Sequence, residues 1–272
     1  MPNKICEDTA VEENLVKIEG LTPQQIASVC DHTFLKRTEA YKGKSENPVK
    51  QRERDFKEFL EASIKGLGRG MVPYAICVRP EDCDYARHVL RAERSDIQLC
   101  SVVGFPDGNW YPIGMKVMEA ELALSYGARE IDMVLNYETF REGNISEVGR
   151  EITAVNSRVI ERQGLLKLIF ETSELTEDEV KELSKLANGW GVDFIKTSSG
   201  FASGGAEAGK VKLMRKYFGG GVKISGYVKP GNVYELLSAA SGRDDGYINL
   251  DPMVVRIGES SLLTNLPDKG AE

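Results

Sequence analysis

Short apolar runs alternate along the chain with longer segments whose apolar residues recur at helical spacing. Several of the longer segments carry helix signals: Pro80 suits a first turn, Gly127 suits a stop, and Thr176 with Glu179 matches a capping box. The pattern predicts eight strands, each followed by a helical segment. Their ranges are 29–33, 74–78, 97–105, 130–136, 165–171, 192–197, 221–226 and 253–258.

This alternation predicts one type of fold. Strands that alternate with helices form βαβ units and a parallel sheet, whose central strands are apolar throughout. Eight units in 272 residues suit a closed (β/α)8 TIM barrel better than an open sheet. No linker rich in proline, glycine or serine divides the chain, so we expect one barrel domain over 21–266. We expect 1–20 to be an N-terminal extension, either a helix or a loose tail, and 267–272 to be a tail.

Composition excludes several classes of protein. The net charge of −7, with both signs interspersed, argues against a nucleic-acid binder, which would need a basic face. The first 20 residues are polar and acidic and lack the apolar core expected of a signal peptide, and no apolar run approaches the length of a membrane span. Five cysteines without a CxxC pair indicate reduced thiols and a cytoplasmic location. With two histidines in the chain, a histidine-rich zinc site is not expected, and we predict no metal.

In a barrel of this kind the chemistry lies where the strands end, at the C-terminal face. The polar residues that end the predicted runs or open the last helix are Asp31, Cys77, Asp132, Lys167, Lys196, Lys223, Ser260 and Ser261. Alternate residues of a strand point to opposite faces, and the sequence leaves open whether the set with Phe194 and Lys196 or the set with Ile195 points inward. If Lys196 points inward, it meets Asp132 and Lys223 across the mouth of the barrel.

Two lysines and an aspartate at close quarters suit Schiff-base chemistry. An amine attacks a carbonyl only when it is unprotonated, and both desolvation and a neighbouring cation favour the neutral amine. Lys223 would supply that cation for Lys196, and Asp132 could transfer protons. The competing interpretation is that each lysine is solvated, with its stem over the core. Cys77, within an apolar run, fits a small core residue better than a nucleophile.

Seven segments, in this order through most of the chain, resemble the deoxyribose-phosphate aldolase family. They are "DHTFLK" (31–36), "AICVRP" (75–80), "VVGFPDG" (102–108), "GAREIDMVLN" (127–136), "LKLIFET" (166–172), "GVDFIKTSSGF" (191–201) and "GESSLL" (258–263).

The resemblance implies a class I aldolase on a (β/α)8 barrel that cleaves 2-deoxyribose 5-phosphate to glyceraldehyde 3-phosphate and acetaldehyde without a metal. It makes Lys196 the Schiff-base lysine, Asp132 the proton-relay acid and Lys223 the lysine that tunes Lys196. It places Asp31 and Cys77 in the substrate pocket. Homo-oligomers, dimers or tetramers, are common in the family, and neither nucleic acid nor membrane is an expected partner.

Glycine-rich turns at helix N-termini bind phosphate well, and barrels often build such a site from the loops after strands 7 and 8. By resemblance the phosphate-binding positions are Gly200, Gly226, Gly258, Ser260 and Ser261.

The sequence departs from the family pattern at two places. Family members usually carry two adjacent glycines after the second lysine and then an apolar residue and an arginine, whereas this chain has Gly226, Tyr227, Val228 and Lys229. The last seven residues also lack the tyrosine that assists proton transfer in some members. These departures keep two alternatives open: a Schiff-base aldolase acting on a different or unphosphorylated sugar, and a catalytically silent sugar-phosphate-binding barrel.

Overall fold

Eight parallel strands close into a barrel. The computed structural model describes residues 14–267. Its strands, in chain order, are β1 (Leu15–Lys17), β2 (Cys30–Phe34), β3 (Ala75–Val78), β4 (Gln98–Val103), β5 (Glu130–Val134), β6 (Leu165–Ile169), β7 (Phe194–Lys196), β8 (Gly221–Ser225), β9 (Tyr247–Asn249) and β10 (Val255–Glu259). Strands β2 to β8 follow one another around the barrel, and β10 closes it between β8 and β2. The predicted (β/α)8 fold is confirmed.

Helices cover the outside of the barrel. They are α1 (Pro23–Ala27), α2 (Pro48–Ile64), α3 (Cys83–Ala92), α4 (Ile113–Ser125), α5 (Tyr137–Arg141), α6 (Ile145–Glu161), α7 (Glu177–Ala187), α8 (Ala208–Tyr217), α9 (Val233–Ser241) and α10 (Leu262–Asn265). The predicted capping box is present: Thr176 caps α7 while the Glu179 side chain returns to the Thr176 backbone. No helix within 14–267 has the length and apolar character needed to cross a membrane.

Strand alternation divides the interior into two layers. Outward side chains such as Ile195, Val222 and Ile224 join the large apolar core between the barrel and its helices. The inward apolar side chains form a separate, smaller cluster that includes Cys77 and Cys100. The remaining inward positions are largely charged, and those positions form the candidate site.

The described part of the N-terminal extension is neither a helix nor a loose tail. Strand β1 pairs antiparallel with β9, placing Leu15 opposite Asn249, and a single 3-10 turn follows over Ile18–Gly20. Over residues 14–20 the chain therefore forms a paired strand and a turn, because the pairing with β9 supplies backbone partners that a sequence pattern of three residues does not reveal. Residues 1–13 and 268–272 lie outside the described residues, and the domain division at 20 and 266 stays a prediction.

Candidate active site

The strand register places the two site lysines side by side. Lys196 at the end of β7 is the register partner of Lys223 on β8. Both side chains are buried inside the barrel, with Lys196 2% exposed and Lys223 fully enclosed. The question of phase is settled in favour of Phe194 and Lys196 pointing inward, since Ile195 packs in the outer core. Lys196 therefore faces the barrel interior and not the solvent.

Asp132 lies at the centre of the cluster. Its Oδ2 accepts a hydrogen bond from Lys196 Nζ at 2.9 Å and another from Lys223 Nζ at 2.7 Å. Its Oδ1 accepts one from Lys167 Nζ at 3.0 Å. Burial alone would raise the pKa of this carboxyl, but the three ammonium groups outweigh burial and hold the pKa well below its usual range. One carboxylate is thus shared by three lysines.

Asp31 links this cluster to Arg256, which was not among the predicted site residues. One Asp31 oxygen accepts from Lys223, and the other accepts from Arg256 Nη1 at 2.5 Å. Desolvation would lower the pKa of Lys223, but the carboxylates of Asp132 and Asp31 raise it above its ordinary value. Lys223 therefore stays protonated beside Lys196, as the predicted tuning role requires. Asp31 contacts Lys223 and not the mouth of the barrel.

Below these residues, the floor of the barrel is ionic as well. Arg256 Nη2 donates to Glu130 Oε1 at 2.8 Å, and its guanidinium stacks on the Tyr74 ring at 3.7 Å from the centroid. Lys167 Nζ donates to Glu130 Oε2 at 2.5 Å. Arg256 interrupts the apolar run "MVVRIG", whereas Glu130 opens the run "EIDMVLN". A charge inside an apolar run needs a partner, so the sequence marks Arg256, but only the strand register shows that Glu130 is its partner.

Cys77 lies deeper than a substrate contact would. It is fully buried and belongs to the inward apolar cluster, where it pairs in register with Cys100. A hydrogen bond from the Cys100 thiol lowers the pKa of Cys77, against the effect of burial, while burial raises the pKa of Cys100 well above its usual value. Cys100 Sγ also lies 3.1 Å from Asp132 Oδ1. The residues that line the mouth cavity do not include Cys77.

Two groups of described residues could offer converging metal ligands: Cys77, Cys100 and Asp132 in one, and Asp31, Cys100 and Glu130 in the other. Both lie among ammonium groups, because Lys167 Nζ is 3.4 Å from Cys100 Sγ and hydrogen-bonded to two of the acids. A metal cation would have to displace those ammonium groups. The donor set therefore suits lysine partners better than a metal.

A cavity of about 600 Å³ opens above Lys196 at the C-terminal ends of the strands. All five positions carried over for phosphate binding line it: Gly200, Gly226, Gly258, Ser260 and Ser261. Two of these glycines are structurally required. At Gly226, φ is +79° and a Cβ would lie 3.0 Å from the Gly205 Cα. At Gly258 a Cβ would lie 2.9 Å from Ser225 Cβ and 3.0 Å from Lys223 Cε, so the glycine leaves room for both side chains.

The loop after β8 differs from the sequence expectation in detail. Tyr227 has φ of +56°, the left-handed region, and its side chain is 65% exposed at the rim of the cavity. Its bulk therefore points largely to solvent and leaves the cavity open. Lys229 is exposed and does not line the cavity, whereas Lys36, after β2, does. Lys36, the last residue of the motif "DHTFLK", is thus a further cation at the mouth of the barrel.

The loop after β7 is held by a buried acid. Glu171 accepts hydrogen bonds from the Ser199 backbone N–H at 3.1 Å and from the Ser199 hydroxyl. Burial raises the pKa of Glu171, although the hydrogen bonds from Ser199 oppose the shift. This contact fixes the backbone immediately before Gly200, one of the cavity-lining glycines.

Comparison with known proteins agrees with the barrel fold. The profile of the DeoC/LacD family aldolases matches residues 29–240. The chain belongs to this aldolase family. It is therefore an enzyme, and its class is the lyases.

Two named relatives share somewhat more than a third of their aligned residues with this chain. The deoxyribose-phosphate aldolase of Thermococcus gammatolerans is 38% identical over 206 residues, which cover 75% of this aldolase and 84% of that protein. The protein of the same name from Halalkalibacterium halodurans is 38% identical over 208 residues, with coverage of 76% and 84%.

Solved structures share the fold. One described as "QR15, an Aldolase" is 27% identical, with a TM-score of 0.70 and coverage of 89% of this aldolase and 93% of that chain. The tetrameric deoxyribose phosphate aldolase of Aeropyrum pernix is 24% identical, with a TM-score of 0.70 and coverage of 92% of each chain, a likeness in fold.

Proposed function

We propose that this aldolase cleaves 2-deoxyribose 5-phosphate through a Schiff base on Lys196. The observation that carries the proposal is the position of that amine. Among the three lysines that share Asp132, Lys196 is the one that lines the cavity above the barrel. Lys196 reaches the ligand cavity, while the two cationic lysines beside it stay enclosed. A neighbouring cation of this kind activates the lysines that form Schiff bases.

The chemistry follows from the positions of three side chains. The Lys196 amine adds to the C1 carbonyl of the open-chain sugar, and loss of water gives an iminium ion. Asp132, 2.9 Å from Lys196 Nζ, is placed to move the protons of carbinolamine formation and dehydration. The C2–C3 bond then breaks as the C3 hydroxyl gives up its proton. Glyceraldehyde 3-phosphate leaves, and the electron pair enters the iminium as an enamine. Protonation at C2 and hydrolysis release acetaldehyde and the free amine.

Lys223 serves this chemistry without touching the substrate. Enclosed between Asp31 and Asp132, it keeps a positive charge next to Lys196 throughout. That charge opposes protonation of the neighbouring amine. The iminium is the electron sink, so the proposal includes no metal. Prolonged dialysis against a chelator is expected to leave turnover unchanged, and loss of activity that Zn²⁺ restores would contradict this part.

The phosphate group is proposed to bind at the rim of the cavity. The backbone of Gly200 and Gly226 and the start of α10 at Ser260 and Ser261 face the same space as Lys196. Backbone N–H groups in such turns bind phosphate without needing a charged side chain. Lys36 adds a cation at the same rim.

A second candidate substrate is favoured by one observation. Lys229 lies outside the cavity, so the loop after β8 offers no charged side chain where the family places an arginine. An aldolase acting on a different or unphosphorylated sugar would fit that loop. Turnover of 2-deoxyribose 5-phosphate should be compared with that of 2-deoxyribose. A higher kcat/KM for the phosphorylated sugar supports the first candidate, and equal values support the second. Saturable binding without cleavage would indicate a silent sugar-phosphate barrel.

We propose that the enzyme assembles as a homo-oligomer through the outer face of α4. Three exposed side chains on α4, Met115, Met118 and Leu122, form a stripe at helical spacing with Tyr126, which caps the helix. Trp110, shortly before the helix, is exposed as well. The exposed apolar area is on the order of 500 Å² if each side chain offers about 200 Å². That approaches the ~800 Å² per partner of a standard interface. The Glu121–Arg158 ion pair beside this stripe carries one negative and one positive charge. A twofold axis can place each of these charges opposite the opposite charge of a second copy.

Sedimentation equilibrium tests this proposal. The wild type is expected to be dimeric or larger, and Met118→Lys to shift it toward monomer without changing its circular dichroism. A monomeric wild type, or an oligomer unaffected by Met118→Lys, would contradict it. We also propose a cytoplasmic location, supported by free thiols at all four described cysteines.

A further inference from the structure

Charges inside the barrel are unequal in number. The inward-facing cations among the described residues are Lys167, Lys196, Lys223 and Arg256, and the inward-facing carboxylates are Asp31, Glu130 and Asp132. With every group ionised, the interior holds one positive charge in excess. Burial makes such an imbalance costly, and the loss of one proton removes it.

Arg256 is the cation that cannot give up that proton. A guanidinium stays protonated in proteins. Arg256 is fully buried and donates to Asp31 at 2.5 Å, to Glu130 at 2.8 Å and to the Pro252 carbonyl at 2.5 Å. Its charge is therefore fixed, and it occupies carboxylates that the lysines could otherwise use.

The three lysines differ in how many carboxylates hold their protons. Lys167 forms ion pairs with Glu130 and Asp132 and lies 3.6 Å from Asp31. Lys223 forms ion pairs with Asp31 and Asp132. Among the described residues, Lys196 forms an ion pair with Asp132 alone, and it shares that carboxylate with both other lysines. Lys196 is consequently the lysine that the fewest carboxylates hold.

We propose that Arg256 is a positioning residue that sets the charge excess of the barrel interior and thereby lets Lys196 act as a free amine near neutral pH. The proposal rests on the Schiff-base function above and assigns a role to a residue that never touches substrate. Arg256 acts through Asp31, which it holds against Lys223 on the side opposite Asp132.

The size of the effect follows from the strand register. Arg256 pairs with Lys223 across β10 and β8, and Lys223 pairs with Lys196 across β8 and β7. Two strand spacings put the Arg256 charge on the order of 10 Å from the amine. A unit charge at that distance, in an effective dielectric of about 20, moves the protonation of the amine by about one pH unit.

Other titratable groups also face Lys196 or its partners. Cys77 on β3, Cys100 on β4 and Tyr74 near the barrel floor carry no charge in their protonated forms. Glu171, in the loop after β6, is held by Ser199 and also interacts electrostatically with Lys196. These groups are common to the wild type, Arg256→Met and Glu130→Gln, so their contributions cancel in the differences between those three proteins.

The two partners of one ion pair provide the test. Arg256→Met removes the excess positive charge, and the acid limb of the kcat/KM–pH profile is expected to move up by about one pH unit. Glu130→Gln raises the excess, and the limb is expected to move down by a similar amount. Both changes break the same Arg256–Glu130 pair. If Arg256 had only a structural role, the two variants would therefore move the acid limb in the same direction or leave it in place.

Two controls complete the experiment. Arg256→Lys keeps the charge and is expected to keep the limb near its wild-type position, even if turnover falls. The Arg256→Met shift should persist in a Cys77→Ala background, which excludes titration of that thiol as its source. If Arg256→Met does not fold, Glu130→Gln decides: a downward shift supports the proposal, and any other result overturns it.

The failure of this inference is distinguishable from the failure of the proposed function. Borohydride reduction of the wild type with acetaldehyde reports directly on the Schiff base at Lys196. If no adduct forms at Lys196, the proposed function fails and the inference fails with it. If the adduct forms but the Arg256→Met and Glu130→Gln limbs do not move in opposite directions, the inference alone is overturned.

Discussion

Tyr227 combines a bulky side chain with a backbone conformation that favours glycine. Its φ is +56°, and it follows Gly226, whose φ is +79°. The loop lies at the rim of the cavity proposed to hold phosphate. Substituting Tyr227 by both alanine and glycine isolates the backbone effect, because both variants lose the same ring.

The expected difference between the two variants can be worked from the backbone. A left-handed conformation costs an ordinary L-residue roughly 1–2 kcal/mol. The extra freedom of glycine in the unfolded chain costs roughly 0.5–1 kcal/mol. From the midpoints of these two ranges, Tyr227→Gly should be more stable than Tyr227→Ala by about 0.75 kcal/mol. Met253, 51% exposed in a turn with ordinary φ, is the matched control, where alanine should be the more stable variant.

Urea denaturation of the four variants measures these differences as shifts in midpoint at constant m-value. The KM for 2-deoxyribose 5-phosphate should also be no higher in Tyr227→Gly than in Tyr227→Ala, since glycine keeps the loop in place without strain. If Tyr227→Ala is as stable as Tyr227→Gly, or if Met253 shows the same order as Tyr227, the argument from backbone strain is refuted.

Three further outcomes follow from the buried charges. Lys223→Leu removes the cation beside Lys196, so the acid limb of the pH–rate profile should move up and the rate at neutral pH should fall; an unmoved limb would count against the tuning role. Asp132→Asn should slow turnover by about 10²–10⁴-fold, as loss of a positioned proton-transfer group does, with an unchanged circular dichroism spectrum; a collapsed spectrum would make Asp132 structural. Lys116 forms a buried ion pair with Glu151 outside the barrel, so Lys116→Met should lower the free energy of unfolding by about 3–5 kcal/mol and the double variant with Glu151→Leu should recover much of it. Urea titrations that give equal values for single and double variants would exclude an uncompensated charge as the cause.

The barrel could be predicted from the sequence because its signal is redundant. Each parallel strand, buried on both faces, gives a continuous apolar run, and a helical period follows it. The β1–β9 pair was missed because strands of three residues, such as Leu15–Lys17, carry no periodicity of their own. Their pairing is set by tertiary contact.

The upper part of the candidate site was predictable, and the lower part was not. Lys196, Asp132 and Lys223 attract notice as charges at the ends of apolar runs, where this fold places its chemistry. Glu130 and Arg256 lie nearer the starts of their strands and only become meaningful once the register brings them together. The inward phase of β7 likewise depends on packing against its neighbours, since both faces of that strand are buried.

The central claim is that Lys196 forms a covalent imine with the carbonyl compound in the cavity. Its most direct test is borohydride reduction of the enzyme with acetaldehyde, followed by proteolysis and mass mapping of the modified peptide. We expect one reduced adduct in the wild type, on Lys196. We expect Lys196→Ala to form no adduct and to show no turnover. Cleavage of 2-deoxyribose 5-phosphate without any adduct at Lys196, or an adduct confined to another lysine, would contradict the account.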